Sequence, residues 1–549
     1  MSASSGDAPM FSIVTPVYDP PVDVLSAAID SVLAQTFRDW ELILVDDCSP
    51  NAEVLETLRR YAANDSRIKV VERAVNGHIV KASNDGIAAA TGRFIALLDH
   101  DDLLAPAALR RNAEVIAEHD DVDYVYSDED KVDDKGRHYQ RFDKPAWSPE
   151  RLRAQNYCCH FSVLRTSLVR EVGGFREGFD GSQDHDLILR VTEKARRIVH
   201  IPEVLYHWRV IPGSAAGDTE AKPYAVEAGR RAVQDHLDRL DIEATVSIGP
   251  FNMFRVHRKL PVDRRVSIVI PTRGSSALVW GRRRAMVVEA VRSALGQTTH
   301  ADLEVVVVYD DPATPTEVLD ELRQVAGDRL VLVPFTEKFN YSRKVNLGVL
   351  ASSGDRIVVL NDDVELRTPE WLDELVGALE EPDVGLTGAK LMFSSTSIQH
   401  AGLAFLRGGY MHPYRLLPLS SPGPFGELVV NREVSGVTGA CVAFRRETFL
   451  EVGGLAEGLP ESFNDVDFCY KMTRAGYRIL YMAHCLLFHF ESQTRDPKPY
   501  AADTVFMRRR WGVPARDPYT PVFPHMPPTL AEKREMKARA RRRSLGLAP

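Results

Sequence analysis

Four blocks of the amino-acid sequence occur twice, in the same order, in the two halves of the chain. The paired blocks are FSIVTPVY and VSIVIPTR (from Phe11 and Val266), ELILVDD and EVVVVYDD (from Glu41 and Glu304), GRFIALLDHDD and GDRIVVLNDDV (from Gly92 and Gly354), and VGGFREGFDGSQDHDLILR and VGGLAEGLPESFNDVDFCYK (from Val172 and Val452). A repeated unit of roughly 250 residues is far longer than the repeat of a solenoid protein. The chain is therefore a tandem duplication of one fold.

A chain of 549 residues is also too long for one compact core. We predict a first domain at 1–258, a second domain at 259–520 and a tail at 521–549. The basic, proline-containing stretch HRKLPVDRR at 257–265 is the predicted linker.

Each unit opens with short β-branched runs such as SIVTPV, LILVDD and FIALLD. Amphipathic helical patterns, for example PVDVLSAAIDSVLAQ, separate these runs. Continuous apolar strands that alternate with helices indicate an α/β fold with a mostly parallel sheet covered on both faces.

Polar side chains follow the predicted strands at their carboxyl ends, where ligands bind in such sheets. In the first half they are Thr15, Pro16, Asp46, Asp47, Asp99 and Asp101, and in the second half Pro271, Thr272, Asp310, Asn361, Asp362 and Asp363. We expect each set to converge on one ligand site.

The composition is that of a folded protein, with 44% hydrophobic and 26% charged residues. A net charge of −9 argues against a nucleic-acid partner for the body of the protein. We find no secretory signal and no apolar run of the ~20 residues that a membrane-spanning helix needs. The six cysteines form no CxxC pair, so we expect reduced thiols and a cytoplasmic protein.

Three carboxylates, Asp99, Asp101 and Asp102, follow one predicted strand within four positions. Carboxylates spaced Asp-x-Asp can hold one divalent cation whose other ligands are water and a substrate diphosphate. An acidic surface loop is the alternative interpretation. Because the motif recurs at Asp363 on the equivalent strand of the second half, we favour metal binding.

A second acidic pair follows in each half, at Asp184 and Asp186 and at Asp465 and Asp467. Each pair begins a helical pattern, so one interpretation is a capping or first-turn carboxylate. The other is a general base that takes a proton from an incoming hydroxyl group.

A histidine follows a short strand after each acidic pair, at His207 and at His489. Each is either a further site residue or an ordinary core or surface residue. Their positions relative to the acidic pairs differ by one residue.

With these motifs, residues 11–500 resemble two copies of a family 2 glycosyltransferase of the GT-A fold. VSGVTGACVAFRRETFLEVGG and CYKMTRAGYRILY are similar to rhamnosyl- or galactofuranosyl-transferase-like members. SQDHDLILR with YHWRVIPGSAA resembles the front half of tandem enzymes that assemble bacterial surface polysaccharides of the O-antigen or rhamnan type. The resemblance implies two tandem GT-A domains with Rossmann-like, mostly parallel sheets.

The resemblance also implies roles for individual residues. Nucleotide-sugar contacts are implied for Thr15, Pro16, Asp46, Asp47, Lys81 and Asp99, and for Pro271, Thr272, Asp310, Arg343 and Asp362. Metal ligands, for Mn²⁺ or Mg²⁺, are implied for Asp99, Asp101 and His207, and for Asp363 and His489. Asp184 and Asp465 resemble the catalytic base. The second half departs from the family pattern at Tyr309, Asn361 and Asn464, where the first half or many relatives have acidic residues.

The function that this resemblance implies is a bifunctional, metal-dependent, inverting glycosyltransferase of hexosyl or rhamnosyl type. It would use UDP- or dTDP-linked sugars to extend a glycan acceptor, with a lipid-linked acceptor as the expected form. The alternative is that one half is catalytic and the other is a scaffold that binds a glycan or a partner. Nucleotidyl transfer is disfavoured, because no glycine-rich phosphate loop follows the first strand of either half.

The tail from Ala531 carries seven basic and two acidic residues. A segment of this kind can attach a protein peripherally to an anionic membrane surface, here the inner face of the cell membrane. The alternative is a solvated tail without such a role.

Overall fold

The computed structural model describes residues 8–210, 223–406, 409–490 and 501–520. The chain there forms two large mixed sheets flanked by helices and three two-stranded hairpins. Within these ranges, every helix is too short or too polar to cross a lipid bilayer. The predicted tail at 521–549 lies outside the described residues.

The first half alternates strands and helices, as predicted. Its strands are β1 (Phe11–Val17), β2 (Trp40–Asp46), β3 (Ile68–Glu72), β4 (Phe94–Leu97), β5 (Leu103–Leu104), β6 (Val122–Val132), β7 (His138–Phe142), β8 (Ser162–Arg165) and β9 (Arg197–Arg209). Its helices are α1 (Val22–Leu33), α2 (Ala52–Asn64), α3 (His78–Ala89), α4 (Ala108–Glu118), α5 (Pro149–Ala154), α6 (Thr166–Glu171), α7 (Gln183–Thr192) and α8 (Pro223–Arg239). A hairpin of β10 (Ala244–Ile248) and β11 (Phe254–Arg258) follows.

The second half repeats this alternation. Its strands are β12 (Val266–Thr272), β13 (Ser276–Val279), β14 (Arg282–Ala285), β15 (Leu303–Asp310), β16 (Leu330–Phe335), β17 (Arg356–Leu360), β18 (Val364–Leu366), β19 (Val384–Met392), β20 (Ile398–His400), β21 (Ala404–Leu406), β22 (Gly409–Met411), β23 (Arg432–Glu433), β24 (Cys441–Arg445) and β25 (Arg478–His489). Its helices are α9 (Met286–Gly296), α10 (Thr316–Ala326), α11 (Tyr341–Ala351), α12 (Trp371–Val376), α13 (Arg446–Glu451), α14 (Asn464–Arg474) and α15 (Ala501–Trp511).

The two large sheets have the same strand order. The first runs β3-β2-β1-β4-β8-β6-β9-β5, and the second runs β16-β15-β12-β17-β24-β19-β25-β18. In each, the first four strands are parallel, and the fifth pairs antiparallel with the fourth. The predicted α/β class with two equivalent domains is therefore confirmed, although the far side of each sheet is mixed.

Alternating strand residues enter two different apolar layers, one on each face of the sheet. In β2, Leu42 and Leu44 pack with the layer that contains Leu25 of α1, whereas Ile43 and Val45 pack with the layer that contains Val80 of α3. Burial on both faces explains why these strands are continuous hydrophobic runs.

A buried network of ion pairs connects the two halves. Arg258, at the end of β11, lies 2.7 Å from Glu150 of α5 and 2.7 Å from Glu381 of the second half. Arg153 of α5 also contacts Glu381, at 2.9 Å. The predicted linker therefore begins inside an interface, because Arg258 is only 7% exposed.

Candidate functional site

The carboxyl ends of the central parallel strands meet in each half. In the first sheet Val17 pairs with Asp46, and in the second Thr272 pairs with Tyr309. The ring Nδ1 of His100, inside the acidic motif, lies 3.1 Å from the carbonyl oxygen of Pro16. The predicted convergence of strand-end groups is thus observed, with Thr15 buried inside β1.

In the first half, a basic side chain and backbone amides contact the strand-end aspartates. Arg73 Nη1 lies 2.8 Å from Asp47 Oδ1, and the Gly77 amide donates to the same oxygen at 2.9 Å. Asp46 Oδ1 accepts from the Ser49 amide at 3.3 Å. These contacts hold the two carboxylates at the edge of the site.

In the second half, the strand-end aspartate is contacted by a buried lysine of a helix. Lys344 of α11 lies 2.6 Å from Asp310 Oδ1 and donates to the Thr272 carbonyl oxygen at 2.6 Å. Burial lowers the pKa of Lys344, and the attraction of Asp310 partly opposes this shift. Sequence reasoning missed Lys344, although its spacing of four residues from Gly348, which packs on β12, indicates the inner face of the helix.

The predicted donor contacts Lys81 and Arg343 lie at the rim instead. Lys81 is 3.5 Å from Glu177, and Arg343 is 3.3 Å from Glu457. Both side chains are substantially exposed, at 49% and 38%. Lys81 and Arg343 are therefore accessible to a ligand, but packing does not fix the positions of their side chains.

The acidic motif of the first half concentrates negative charge in a buried place. Burial and the neighbouring Asp101 raise the pKa of Asp99, while the positive charge of His160 opposes the rise. The carboxylate of Asp102 accepts from the Tyr206 hydroxyl at 2.5 Å and from the Arg209 amide at 2.7 Å. Asp102 therefore anchors the loop to β9.

His160 belongs to the first site, although no sequence motif indicated it. Its backbone amide donates to Glu129 Oε2 at 2.6 Å. Burial alone would lower the pKa of His160, but Glu129, Asp102 and Asp99 raise it to about 9. The site thus contains an imidazole beside its acidic motif, surrounded by carboxylates that favour its positively charged form.

In the acidic motif of the second half, Asp362 and Asp363 contact different partners. Asp362 accepts from the Thr272 hydroxyl at 2.6 Å, and burial together with Asp363 raises its pKa to about 6. Asp363 Oδ1 lies 3.2 Å from His489 Nε2. Burial would raise the pKa of Asp363, but the attraction of His489 more than offsets this effect.

His489 is oriented by an amide. Its Nδ1 lies 2.8 Å from Gln399 Oε1, so Nδ1 donates to the amide oxygen and the ring is held with Nε2 facing Asp363. Asp363 Oδ1 is buried, and its partner within the described ranges is His489 Nε2. A buried carboxylate oxygen next to an oriented imidazole is a donor set that fits a divalent cation.

His207 takes a different position in the first half. In the first half, His207 pairs with Leu103. In the second half, His489 pairs with Val364, and Val364 corresponds to Asp102, the residue before Leu103. Trp208 therefore occupies the position equivalent to His489, and the His207 ring lies 2.6 Å from Asp130 instead. The one-residue difference seen in the sequence thus turns the two imidazoles toward different neighbours, and we do not include His207 in the catalytic site.

The second acidic pairs each split into one structural and one available carboxylate. Asp186 is fully buried and pairs with Arg176 and with Arg190, the latter at 2.6 Å. Asp467 is likewise fully buried and accepts from the Trp511 indole at 2.8 Å. Their burial identifies Asp186 and Asp467 as anchors of the first turns of α7 and α14.

Asp184 and Asp465 face the site. Asp184 Oδ2 accepts from the Asn156 amide at 2.8 Å, and Asp465 Oδ2 accepts from Thr438 Oγ1 and the Gly439 amide at 3.1 Å each. Tyr341 connects Asp465 to the acidic motif, since its hydroxyl contacts both the Gly439 carbonyl oxygen and Asn361 Oδ1. In the first half, the charge of Asp184 contributes to the raised pKa of Asp99. Each site thus brings a first-turn carboxylate near its acidic strand end.

Comparisons with known proteins identify the family of the chain. The family described as glycosyl transferase family 2 matches residues 12–173 and 267–453. The uncharacterized protein y4gI of Sinorhizobium fredii is 41% identical over 92% of this chain, and the O-antigen biosynthesis protein RfbC of Myxococcus xanthus is 36% identical over 95%. The chain spans 56% and 41% of the lengths of these two relatives.

Among solved structures, S. aureus TarS 1–349 in complex with UDP is 21% identical over 42% of this chain and 65% of that chain, with a TM-score of 0.34. The family match covers both halves of the chain and includes both acidic strand ends. This chain belongs to glycosyl transferase family 2.

Proposed function

We propose that both halves are transferase sites, each moving a sugar from a nucleotide-sugar donor to a growing glycan with inversion at the anomeric carbon. The observation that carries this proposal is the pairing, in both halves, of an acidic strand end with a first-turn carboxylate, Asp184 or Asp465. A half of the chain without catalytic activity would not need a first-turn carboxylate next to its acidic strand end.

The donor would lie across the strand ends. In this proposal Asp46 and Asp47 in the first half, and Asp310 in the second, would contact the nucleobase, while Asp99, Asp101 and Asp363 would lie nearer to the diphosphate. Arg73 and Lys344 set the orientation of the aspartates that they contact. UDP- and dTDP-sugars are the proposed donors.

A divalent cation fits both acidic motifs, with Asp99 and Asp101 as its ligands in the first half and Asp363 and His489 in the second. When bound, such a cation neutralises the charge of a leaving diphosphate. Asp362 is occupied by Thr272 and serves to shape the loop.

In the chemical step, Asp184 or Asp465 takes the proton of the acceptor hydroxyl as its oxygen forms a bond to the anomeric carbon. The bond from that carbon to the diphosphate oxygen breaks on the opposite side, and the nucleoside diphosphate leaves. Hydrogen bonds from Thr438 and Gly439 hold Oδ2 of Asp465. Its orientation is therefore fixed before an acceptor arrives.

The acceptor class follows from the relatives. RfbC, which resembles 95% of this chain, is named for O-antigen biosynthesis. A bacterial surface glycan is therefore the proposed acceptor, and a lipid-linked form is the version that we would test first.

The second candidate function is that one half binds glycan without catalysis. Tyr309 and Asn361 favour the second half for this role, because they replace carboxylates that the first half has.

The test of the proposed function is nucleoside diphosphate release by the full chain with a panel of UDP-, GDP- and dTDP-sugars and a glycan acceptor. We expect release with a subset of the donors and none from Asp184→Asn/Asp465→Asn. Equal release by the double variant would contradict the proposed role of both aspartates.

A further inference from the structure

Three neighbouring strands of the first sheet bring two imidazoles and one carboxylate together. Asp130 of β6 is directly paired with His207 of β9. His138 begins β7 and is paired with Val132, two residues after Asp130. Because residues two apart on a strand share a face, the register directs all three side chains to the same side of the sheet.

The side chains contact one another. Asp130 Oδ1 lies 2.6 Å from His207 Nδ1, and Asp130 Oδ2 lies 3.0 Å from His138 Nδ1. The two imidazole rings meet edge to face with centroids 4.5 Å apart. One ligand atom from each of the three residues falls within 4.8 Å of the others. This separation is small enough for a single ion to contact all three.

We infer that Asp130, His138 and His207 form a zinc site separate from the proposed catalytic metal sites. Imidazole and carboxylate are ligands that Zn²⁺ accepts, and three protein ligands with an open fourth position is a common arrangement for this ion. Hard cations such as Mg²⁺ prefer oxygen ligands, so two imidazoles favour a transition metal here.

Burial supports a preformed site that solvent can still reach. Asp130 and His207 are 13% and 17% exposed, so their positions are set by packing, whereas His138 is 49% exposed. An ion could therefore enter over His138 and complete its coordination with water. The neighbouring residue Glu129 points elsewhere, to His160 and Lys144. The same strand thus serves the proposed transferase site through Glu129 and the zinc site through Asp130.

The test uses the full chain, stripped of metal by dialysis against a chelator and then titrated with ZnCl₂. Bound zinc is measured by elemental analysis after gel filtration, and affinity by calorimetry. The informative variant is His138→Ala, because this half-exposed side chain can be removed with little effect on folding. We expect a loss of zinc affinity at least as large as the ~10–100-fold that changes of outer-shell partners cause.

Two control variants show which residues hold the zinc ion. His119→Ala removes a histidine of the same domain outside the cluster and should retain the wild-type zinc. Asp101→Asn/Asp363→Asn alters both acidic motifs and should retain the zinc that His138→Ala loses. Thermal unfolding provides an independent measure, since ZnCl₂ should raise the Tm of the wild type more than that of His138→Ala.

Unchanged zinc affinity and an unchanged Tm response in His138→Ala would overturn the inference. Loss of that zinc from Asp101→Asn/Asp363→Asn, with retention by His138→Ala, would overturn it equally. In either case the cluster would be a hydrogen-bonded group in which Asp130 accepts from both imidazoles.

Discussion

His489 Nε2 lies 3.2 Å from Asp363 Oδ1 in the second half of the chain. Gln399 holds the imidazole from its other nitrogen, at 2.8 Å. The three residues come from β25, the loop after β17, and β20. In the proposed metal site, this imidazole would compensate for Asn361, which stands where the first half has the carboxylate of Asp99.

The first prediction concerns this imidazole. His489→Ala should raise the metal concentration that gives half-maximal activity of the second site, because a ligand is lost. Gln399→Leu should raise it as well, by ~10–100-fold at most, as expected for an outer-shell partner. Mn²⁺ titrations of donor turnover measure both effects. Unshifted titration curves for His489→Ala would remove the imidazole from the metal site.

The second prediction compares two adjacent basic residues of α11. Lys344→Met leaves Asp310 without its buried partner, so we expect a decrease in the free energy of unfolding of about 1–3 kcal/mol and weaker nucleotide binding by the second half. Arg343→Met removes a side chain that is 38% exposed and should have little effect on stability. Urea denaturation and calorimetry with a nucleoside diphosphate distinguish the two. An equal or larger loss of stability in Arg343→Met would show that Lys344 has no special role.

The repeated blocks explain why much of the fold was predictable. Each block contains a strand or the start of a helix, and each has a recognisable local sequence pattern. Because every block occurs twice in the same order, the sequence predicts two equivalent sheets. The strand-end residues Asp46, Asp99 and Asp363 were found because parallel strands end at one edge.

The contacts that the sequence does not predict join residues that are far apart in the chain. Lys344 contacts Asp310 across 34 positions, and His160 contacts Glu129 across 31. The neighbours of His207 depend on strand register. The pairing of β6 with β9 contains irregularities between Val122 and Glu129. A local pattern carries no information about such shifts, which decide the neighbours of each side chain.

The third prediction concerns the network between the halves. Burial would raise the pKa of Glu381, but Arg153, Arg258 and Arg478 hold it well below its usual value. Glu381→Gln removes the buried carboxylate that all three guanidinium groups share, so we expect a decrease in the free energy of unfolding of roughly 3–5 kcal/mol at pH 7.

The sign of the pH dependence follows from the lowered pKa. The stability that Glu381 contributes is fully present above the unfolded-state pKa of 4.5 and is lost as the pH falls toward the lower folded-state value. The difference between wild type and Glu381→Gln in denaturant unfolding should therefore shrink below pH 4.5. Glu447→Gln, which alters a side chain that is 78% exposed, is the control. A difference that is constant from pH 7 to pH 3 would contradict this account of the network.

The most direct test of the central claim substitutes the two proposed bases one at a time in the full chain. Asp184→Asn and Asp465→Asn keep the shape of the side chain but remove the proton acceptor. For each donor that the wild type turns over, nucleoside diphosphate release is measured alongside donor affinity. Two active sites predict that each variant loses a different one of two transfers by ~10²–10⁴-fold while donor affinity stays near the wild-type value. Full retention of both transfers by either variant would contradict the claim that both halves are catalytic.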